Sequence, residues 1–161
     1  MFKELYEKTI KLAGHKSSKY FLGAMSFIES FIFPIPPDVL IIPMTLSKKK
    51  EWFKIALIAT IGSVAGACLG YFIGSIFYNE IGIKIFEIYG VDNTSFFKEK
   101  LSSEGGVIAW ATLLAIAGFS PVPFKLLTIT SGFVNFNFII FIMVSLITRG
   151  SRFFLIAFLV G

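Results

Sequence analysis

The sequence predicts an all-α polytopic membrane protein, an inverted repeat in which a re-entrant helical hairpin is followed by a transmembrane helix. Three observations predict this class. The 161-residue chain is 55% hydrophobic and 16% charged, with a mean hydropathy of +0.79, whereas soluble domains carry about 25% charged residues. Its apolar runs are long enough to enter or cross a bilayer. Two of these runs are interrupted by a Pro-x-Pro sequence at matching places.

Residues 1–19 are amphipathic, with apolar residues such as Leu5 and Leu12 among five lysines. This composition predicts an interfacial helix on an anionic leaflet. A solvated tail is an equally good interpretation of the same composition. The apolar run that follows contains Glu29 and lacks a small-residue cleavage signature, so no cleavable signal peptide is expected.

Residues 20–46 are predicted to form the first re-entrant hairpin. Fourteen residues precede Pro34 and nine follow Pro37 up to Leu46. At 1.5 Å per residue these arms are about 21 and 14 Å long, so each reaches only about halfway through a hydrocarbon core of about 30 Å. The predicted tip contains Pro34, Pro36 and Pro37.

Residues 52–78 contain neither proline nor an acidic residue and are predicted to be a transmembrane helix. Glycines recur at every fourth position, which places them on one helical face and allows another helix to approach closely. These glycines are Gly62, Gly66, Gly70 and Gly74.

The second half repeats the order of the first. After a predicted extracytoplasmic loop at 79–105, residues 106–132 are predicted to form hairpin 2, with Pro121 and Pro123 at its tip, and residues 133–161 a last transmembrane helix. Aligning the two Pro-x-Pro sequences gives an offset of 87 and places Asp38 opposite Lys125. Broken apolar segments at corresponding places in two halves are typical of transporters.

Loop charges favour a hairpin that returns to its side of entry. The formal charge is +3 for residues 1–19, +3 for 47–54 and −2 for 79–105. If 20–46 enters and returns, both positive segments are cytoplasmic and the acidic segment is outside, as the positive-inside rule favours. The two halves then have inverted topology. A kinked single span is the alternative.

Five ionisable residues lie within the apolar segments, where charges are rare and usually functional. Arg149 and Arg152 share a helical face because they are three apart, and guanidinium groups suit a phosphate. We expect Arg149, Arg152 and Lys125 to bind substrate, and Glu29 and Asp38 to couple its movement to protons. The alternative is structural ion pairing, for example of Asp38 with Lys125 or of Glu29 with an arginine.

Several other functions find no support in the sequence. Cys68 is the only cysteine and His15 the only histidine, so we expect no intramolecular disulfide and no histidine-based metal or catalytic site. No nucleophile–histidine pair or phosphate-binding Gly-rich loop is present, so neither an enzyme nor a cofactor is predicted. The lysines flank apolar segments, which does not favour nucleic-acid binding.

These residues together resemble the DedA family, the bacterial group of SNARE-associated or VTT-domain membrane proteins, in its YqaA-like branch. The resemblance covers about residues 20–158. It is carried by Glu29, by the two proline tips with their flanks, and by the arginine pair, which read Phe33-Pro34-Ile35-Pro36-Pro37-Asp38, Gly118-Phe119-Ser120-Pro121-Val122-Pro123-Phe124-Lys125 with Thr128 and Gly132, and Arg149-x-x-Arg152-Phe153.

The resemblance implies a protein of the inner membrane with two re-entrant hairpins, in which embedded acidic and arginine residues are essential and function is linked to proton-motive force. Glu29 and Asp38 match the family's acidic positions, with Pro37 in place of the usual glycine. At the second tip Gly118-Phe119 lacks the usual arginine, and Lys125 stands in for the later one. Arg149 and Arg152 match the YqaA-like branch.

The expected function is therefore a lipid transporter or flippase. Family members are implicated in moving lipids across bilayers, undecaprenyl phosphate among them, so a phosphate-bearing membrane lipid is the expected partner. Two alternatives stay open from the residues. One is a proton-coupled transporter of a small ion or solute, and the other is a non-transporting scaffold that assembles as a homo-oligomer through the glycine stripe.

Overall fold

The computed structural model describes residues 2–30, 35–88, 99, 103–119 and 124–161. Every regular element in these ranges is a helix, which confirms the predicted all-α class. A 3-10 turn at Lys49–Glu51 leads into α4, and a π turn at Tyr78–Gly82 joins α4 to α5. The helices are α1 Phe2–Ala13, α2 Ser18–Glu29, α3 Asp38–Ser47, α4 Trp52–Phe77, α5 Ile83–Ile88, α6 Glu104–Phe119, α7 Phe124–Phe133 and α8 Phe138–Val160.

Two of the described helices are long and apolar enough to cross a membrane. Helix α4 has 26 residues and α8 has 23, which correspond to about 39 and 35 Å. The predicted span at 133–161 starts later in the structure, at Phe138. The reason is a local cap: the Asn137 side chain accepts hydrogen bonds from the backbone N–H groups of Ile139 and Ile140, at 3.0 and 3.2 Å.

The predicted loop at 79–105 is helical in its first part. The π turn and α5 continue the chain in helical form to Ile88, and α6 begins at Glu104, two residues before the predicted start of the second hairpin. Residues 89–98 and 100–102 lie outside the described residues. Turn-forming and polar residues in this segment suggested a loop, but the apolar residues between Ile81 and Ile88 continue the helix.

Helices α4 and α8 run in opposite directions along each other. Tyr71 near the end of α4 contacts Phe141 near the start of α8, with ring centroids 5.2 Å apart. Trp52 at the start of α4 contacts Phe158 near the end of α8, at 5.6 Å. The other helices are positioned against this antiparallel pair.

Helix α2 runs in the same direction as the first half of α4. The backbone of Gly23 lies against Gly62, and that of Phe27 lies against Gly66. A Cβ atom at either α4 glycine would overlap the opposing carbonyl oxygen, so this approach requires glycine. This part of the glycine stripe therefore serves packing within the chain.

Helix α3 runs in the opposite direction to α2. Asp38 at its start pairs with Arg152, and Thr45 near its end lies close to Gly161, so α3 follows the direction of α8. The chain turns back before α3, and Pro37 shapes the turn by accepting the first helical hydrogen bonds, from Leu40 and Ile41, at its carbonyl. The predicted tip residue Pro34 lies outside the described residues.

The start of α2 and the start of α4 lie at the same end of the molecule. Lys19 and Glu51 form an ion pair, with Nζ and Oε2 2.5 Å apart. The intervening chain, which includes α2 and α3, therefore leaves this end and comes back to it.

The second half of the chain also contains an antiparallel pair of helices, which starts from the other end of the molecule. In α6, Gly118 lies against Thr148 of α8, while Trp110 donates a hydrogen bond to Ser131 of α7 over 2.9 Å. Helix α7 ends at Phe133, whose ring lies 5.4 Å from that of Tyr78 at the end of α4. Helices α6 and α7 therefore form a second antiparallel pair. Its predicted tip residues Pro121 and Pro123 lie outside the described residues.

The buried apolar residues form two clusters, one toward each end. The first joins α1, α2, α3, α4 and α8 and contains Ala13, Leu22, Leu40, Ile41, Met44, Ile55, Ala56, Ala59, Phe153 and Ala157. The second joins α4, α6, α7 and α8 with the segment before α8 and contains Ala67, Tyr71, Leu114, Ala117, Phe124, Phe136 and Phe141. Along α4, the first cluster ends at Ala59 and the second begins at Ala67. The buried polar residue Ser63 lies between them.

Candidate functional site

The structure brings four of the five predicted charged residues together as two ion pairs. The Arg149 guanidinium pairs with Glu29, and the Arg152 guanidinium pairs with Asp38. Both arginines come from α8, while the carboxylates come from the end of α2 and the start of α3. The two pairs therefore connect the first hairpin to the last helix.

Arg149 is enclosed on all sides. The residue is 1% exposed, and its Nε donates a hydrogen bond of 2.7 Å to Ser63 Oγ. Its guanidinium carbon lies 5.1 Å from the ring centroids of both Phe124 and Phe153, so cation–π attraction adds to the pairing with Glu29. Four helices, α2, α4, α7 and α8, contribute to this enclosure.

A directed hydrogen-bond chain connects Arg149 to α2. Because an arginine nitrogen only donates, the Ser63 hydroxyl accepts from Arg149 and has its own proton left for Ser30 Oγ, 3.0 Å away. The Ser30 hydroxyl in turn donates to the Ser26 carbonyl over 3.0 Å. Ser63 and Ser30 were missed by sequence reasoning. Their only signal was a hydroxyl inside an apolar run, which is common in membrane helices.

The Arg152–Asp38 pair is less enclosed. The side chains of Arg152 and Asp38 are 13% and 17% exposed. Asp38 Oδ2 faces Arg152, whereas Oδ1 is buried and accepts no hydrogen bond from the part of the chain that the structure describes. Within the described residues, this carboxylate therefore has one unused acceptor oxygen beside the guanidinium. Pro36 and Pro37, the described residues of the predicted first tip, directly precede it.

Lys125 lies apart from the two ion pairs. It is half-buried in the first turn of α7, and Asp38 pairs with Arg152 instead of Lys125. The interpretation that paired Asp38 with Lys125 was wrong, because α3 runs along α8 whereas α7 packs on α4. The other suggested pairing, Glu29 with an arginine, is present.

The charges of this site determine which ions it could bind. Two carboxylates neutralise two guanidinium groups, and Lys125 adds a cation that has no ion-pair partner within the described ranges. Proton binding to either carboxylate would release its arginine for another oxyanion, because both acceptors compete for the same N–H groups. Among the described residues, no group of three or more His, Cys, Asp or Glu side chains is arranged to hold a metal ion.

Comparison with known proteins gives two bacterial relatives that match nearly the whole chain. One is an uncharacterized protein of Haemophilus influenzae, 35% identical over 164 aligned positions that cover 98% of this chain and 79% of the relative. The other, from Histophilus somni, is also described as uncharacterized and is 35% identical, covering 99% and 81% of the two chains. No protein-family model and no solved structure matches the chain. The chain belongs to the same family as these proteins of Haemophilus influenzae and Histophilus somni.

Proposed function

We propose that this protein is a multi-pass transporter, or flippase, of the bacterial cytoplasmic (inner) membrane that moves a phosphate-bearing lipid and couples this movement to protons. The observation that carries the proposal is the two buried carboxylate–arginine pairs between the first hairpin and α8. The resemblance of the tips and embedded charges to the DedA family, in its YqaA-like branch, gives further support. It favours a polyprenyl phosphate such as undecaprenyl phosphate as the substrate.

Membrane embedding is supported by the apolar surface. Large hydrophobic side chains on the outer faces of α4 and α8 are more than one third exposed, among them Ile61, Phe72, Ile139 and Ile147. An exposed apolar surface of this extent suits contact with lipid chains. The paired arms α2–α3 and α6–α7 are each too short to span about 30 Å, which supports their assignment as re-entrant hairpins that enter from opposite sides.

The proposed substrate site consists of Arg149, Arg152 and Lys125. The rings of Phe124 and Phe153 flank the Arg149 guanidinium, so this group would keep its position when its carboxylate partner is lost. A phosphate offers several acceptor oxygens to guanidinium N–H groups and can replace a carboxylate in the same geometry. Lys125 would supply the additional positive charge that a phosphate requires.

The proposed proton coupling follows from competition for the arginines. In their charged forms Glu29 and Asp38 occupy the Arg149 and Arg152 guanidinium groups. A proton on either carboxylate weakens the pairing and frees the guanidinium for the substrate phosphate. Release of the proton restores the ion pair and expels the phosphate. Proton binding and substrate binding are linked because both act on the same carboxylate–arginine pairs.

Transport of a small anion is the second candidate, and the enclosure of Arg149 favours it. At 1% exposure this residue contacts no bulk lipid in the present conformation, so a small solute would need less rearrangement to reach it. Under this alternative a water-soluble anion would be transported, whereas under the first candidate only an amphiphilic phosphate would cross.

The test is lipid movement in proteoliposomes that contain the purified chain and a fluorescent polyprenyl phosphate. Arg152→Ala should slow movement about tenfold or more, because a hydrogen bond to a charged group contributes about 1.5–3 kcal/mol. Arg149→Ala should do the same if it folds, while Lys84→Ala, which removes an exposed charge on α5, should retain the wild-type rate. Wild-type rates in both arginine variants would overturn the substrate assignment.

A further inference from the structure

Lysines from two distant segments meet at one end of the molecule. Lys16 and Lys19 lie at the start of α2, and residues 48–54 join α3 to α4. The Lys19–Glu51 ion pair, at 2.5 Å, holds the two segments side by side. This contact gathers six lysines into one surface, termed here the lysine face, which consists of Lys16, Lys19, Lys48, Lys49, Lys50 and Lys54.

The lysine face is strongly positive. Glu51 is the only acidic residue in segments 14–20 and 47–54, and Lys19 is its ion-pair partner. Lys48 and Lys54 also act electrostatically on the Glu51 carboxylate, which places them in the same patch. The side chains of the remaining lysines, Lys16, Lys49 and Lys50, are exposed. One carboxylate cannot neutralise six cations, so the patch carries a net charge available to an anionic partner.

Exposed apolar side chains adjoin these lysines. Tyr20 follows Lys19 and is 85% exposed, while Phe53 precedes Lys54 and is 54% exposed. Leu46, two residues before Lys48, is 56% exposed. A cation beside an exposed apolar group matches an amphiphile with a negative head and apolar chains, whereas an acidic protein or a nucleic acid would leave the apolar groups uncovered.

We propose that the lysine face binds the headgroups of anionic phospholipids, with their acyl chains against the adjoining apolar side chains. The inference rests on the membrane embedding proposed above, and it concerns a surface separate from the buried ion pairs. Lipid bound here would attach the loop between α3 and α4 and the start of α2 to one leaflet. The base of the first hairpin would thereby be fixed to that leaflet.

Trp52 provides a reporter within this surface, between Lys50 and Lys54. In a Trp110→Phe background it is the only tryptophan. The chain is reconstituted in phosphatidylcholine nanodiscs that contain equal mole fractions of either dibrominated phosphatidylglycerol or dibrominated phosphatidylcholine, and bromine quenching of Trp52 is measured. Because each lysine near an anionic surface favours binding about fivefold, quenching by the phosphatidylglycerol should exceed that by the phosphatidylcholine at least about twofold.

Lys50→Gln/Lys54→Gln should reduce the excess quenching to near the phosphatidylcholine level. Salt at about 0.5 M should do the same, because it screens the attraction between exposed charges. Lys84→Gln, which removes an exposed charge of α5 outside the lysine face, should leave the excess unchanged. Equal quenching by the two lipids would overturn this inference while upholding membrane embedding. Absence of quenching by either lipid would overturn both this inference and the embedding on which it rests.

Discussion

At the scale of single residues, the Glu29–Arg149 pair is the most consequential contact. Arg149 is buried in apolar surroundings between two phenylalanine rings, and its charge is compensated by Glu29 and by Ser63. A buried charge without its partner is far more costly than the pair itself or than two apolar residues of similar size. The effects of substituting Glu29 and Arg149 on the free energy of unfolding should therefore be strongly non-additive.

Glu29→Leu alone should lower the free energy of unfolding by about 3–5 kcal/mol, since it leaves the Arg149 charge without its carboxylate. Glu29→Leu combined with Arg149→Met should destabilise much less than the single change. Thermal unfolding in detergent micelles measures both.

The Lys19–Glu51 pair is the matched control, because its side chains are 31% and 37% exposed. Removing either partner there should change stability by about 1 kcal/mol or less. If the two substitutions at Glu29 and Arg149 instead add to the sum of their single effects, the two side chains do not act as a pair.

The sequence identified which charges would matter but not how they would pair. Glu29, Asp38, Arg149 and Arg152 stood out because charges are rare in apolar segments. Their partners depend on which helix each arm packs against, and the repeat alignment suggested Lys125 for Asp38. The serines that orient Arg149 could not be distinguished from the other hydroxyl residues of the apolar runs, because only the folded chain shows which of them face the arginine.

At the scale of helices, the glycine stripe explains how α4 accommodates a neighbour on each half. Its first half approaches α2 at Gly62 and Gly66, and its second half approaches α7, where a Cβ on Gly74 would overlap the Ile129 carbonyl oxygen. The spacing of these glycines predicted close approach but not the partners. Both partners are arms of the predicted hairpins, so the stripe holds the two halves on one helix.

Gly132→Ala should destabilise the fold by about 1–3 kcal/mol or more, because its Cβ would overlap the Tyr71 carbonyl oxygen and a backbone atom cannot move aside. The measurement is the midpoint of thermal unfolding. Gly105→Ala is the matched control. Among the described residues, no atom outside its own stretch of helix lies within 4 Å of a Cβ at that position, and alanine is favoured over glycine in a helix by up to about 1 kcal/mol. Equal midpoints for the two variants would contradict the close approach of α7 to α4.

At the scale of the whole molecule, the repeat predicted from the two Pro-x-Pro sequences agrees with the order of the described helices. Shifting α2, α3 and α4 by 87 positions brings their first residues within about one position of those of α6, α7 and α8. Contacts within and between the halves correspond as well: α2 packs on α4 as α6 packs on α8, and α3 packs on α8 as α7 packs on α4. Proline and charge patterns predicted this order, whereas side-chain pairing depended on contacts between the halves.

Inverted topology makes a labelling prediction in a Cys68→Ala background. Cysteines introduced at Lys16 and Lys50 should react with a membrane-impermeant maleimide from the same side of sealed membranes, because in the proposed topology the first hairpin returns to its side of entry. A cysteine at Asn79, exposed beyond the end of α4, should react only from the opposite side. Inverted vesicles serve as the reciprocal control. Reaction of the Lys16 and Lys50 positions from opposite sides would instead support a kinked single span.

In the proposed mechanism, the lipid phosphate competes with the carboxylates of Glu29 and Asp38 for the same arginines, and protons favour the phosphate by binding to those carboxylates. The most direct test of this mechanism is the leaflet distribution of a fluorescent polyprenyl phosphate in proteoliposomes under an imposed pH gradient. The wild-type chain should accumulate the lipid in one leaflet, and reversing the gradient should reverse the direction. Asp38→Asn, which cannot exchange a proton beside Arg152, should give equal distribution under either gradient. Equal distribution by the wild-type chain with and without a gradient would contradict the account.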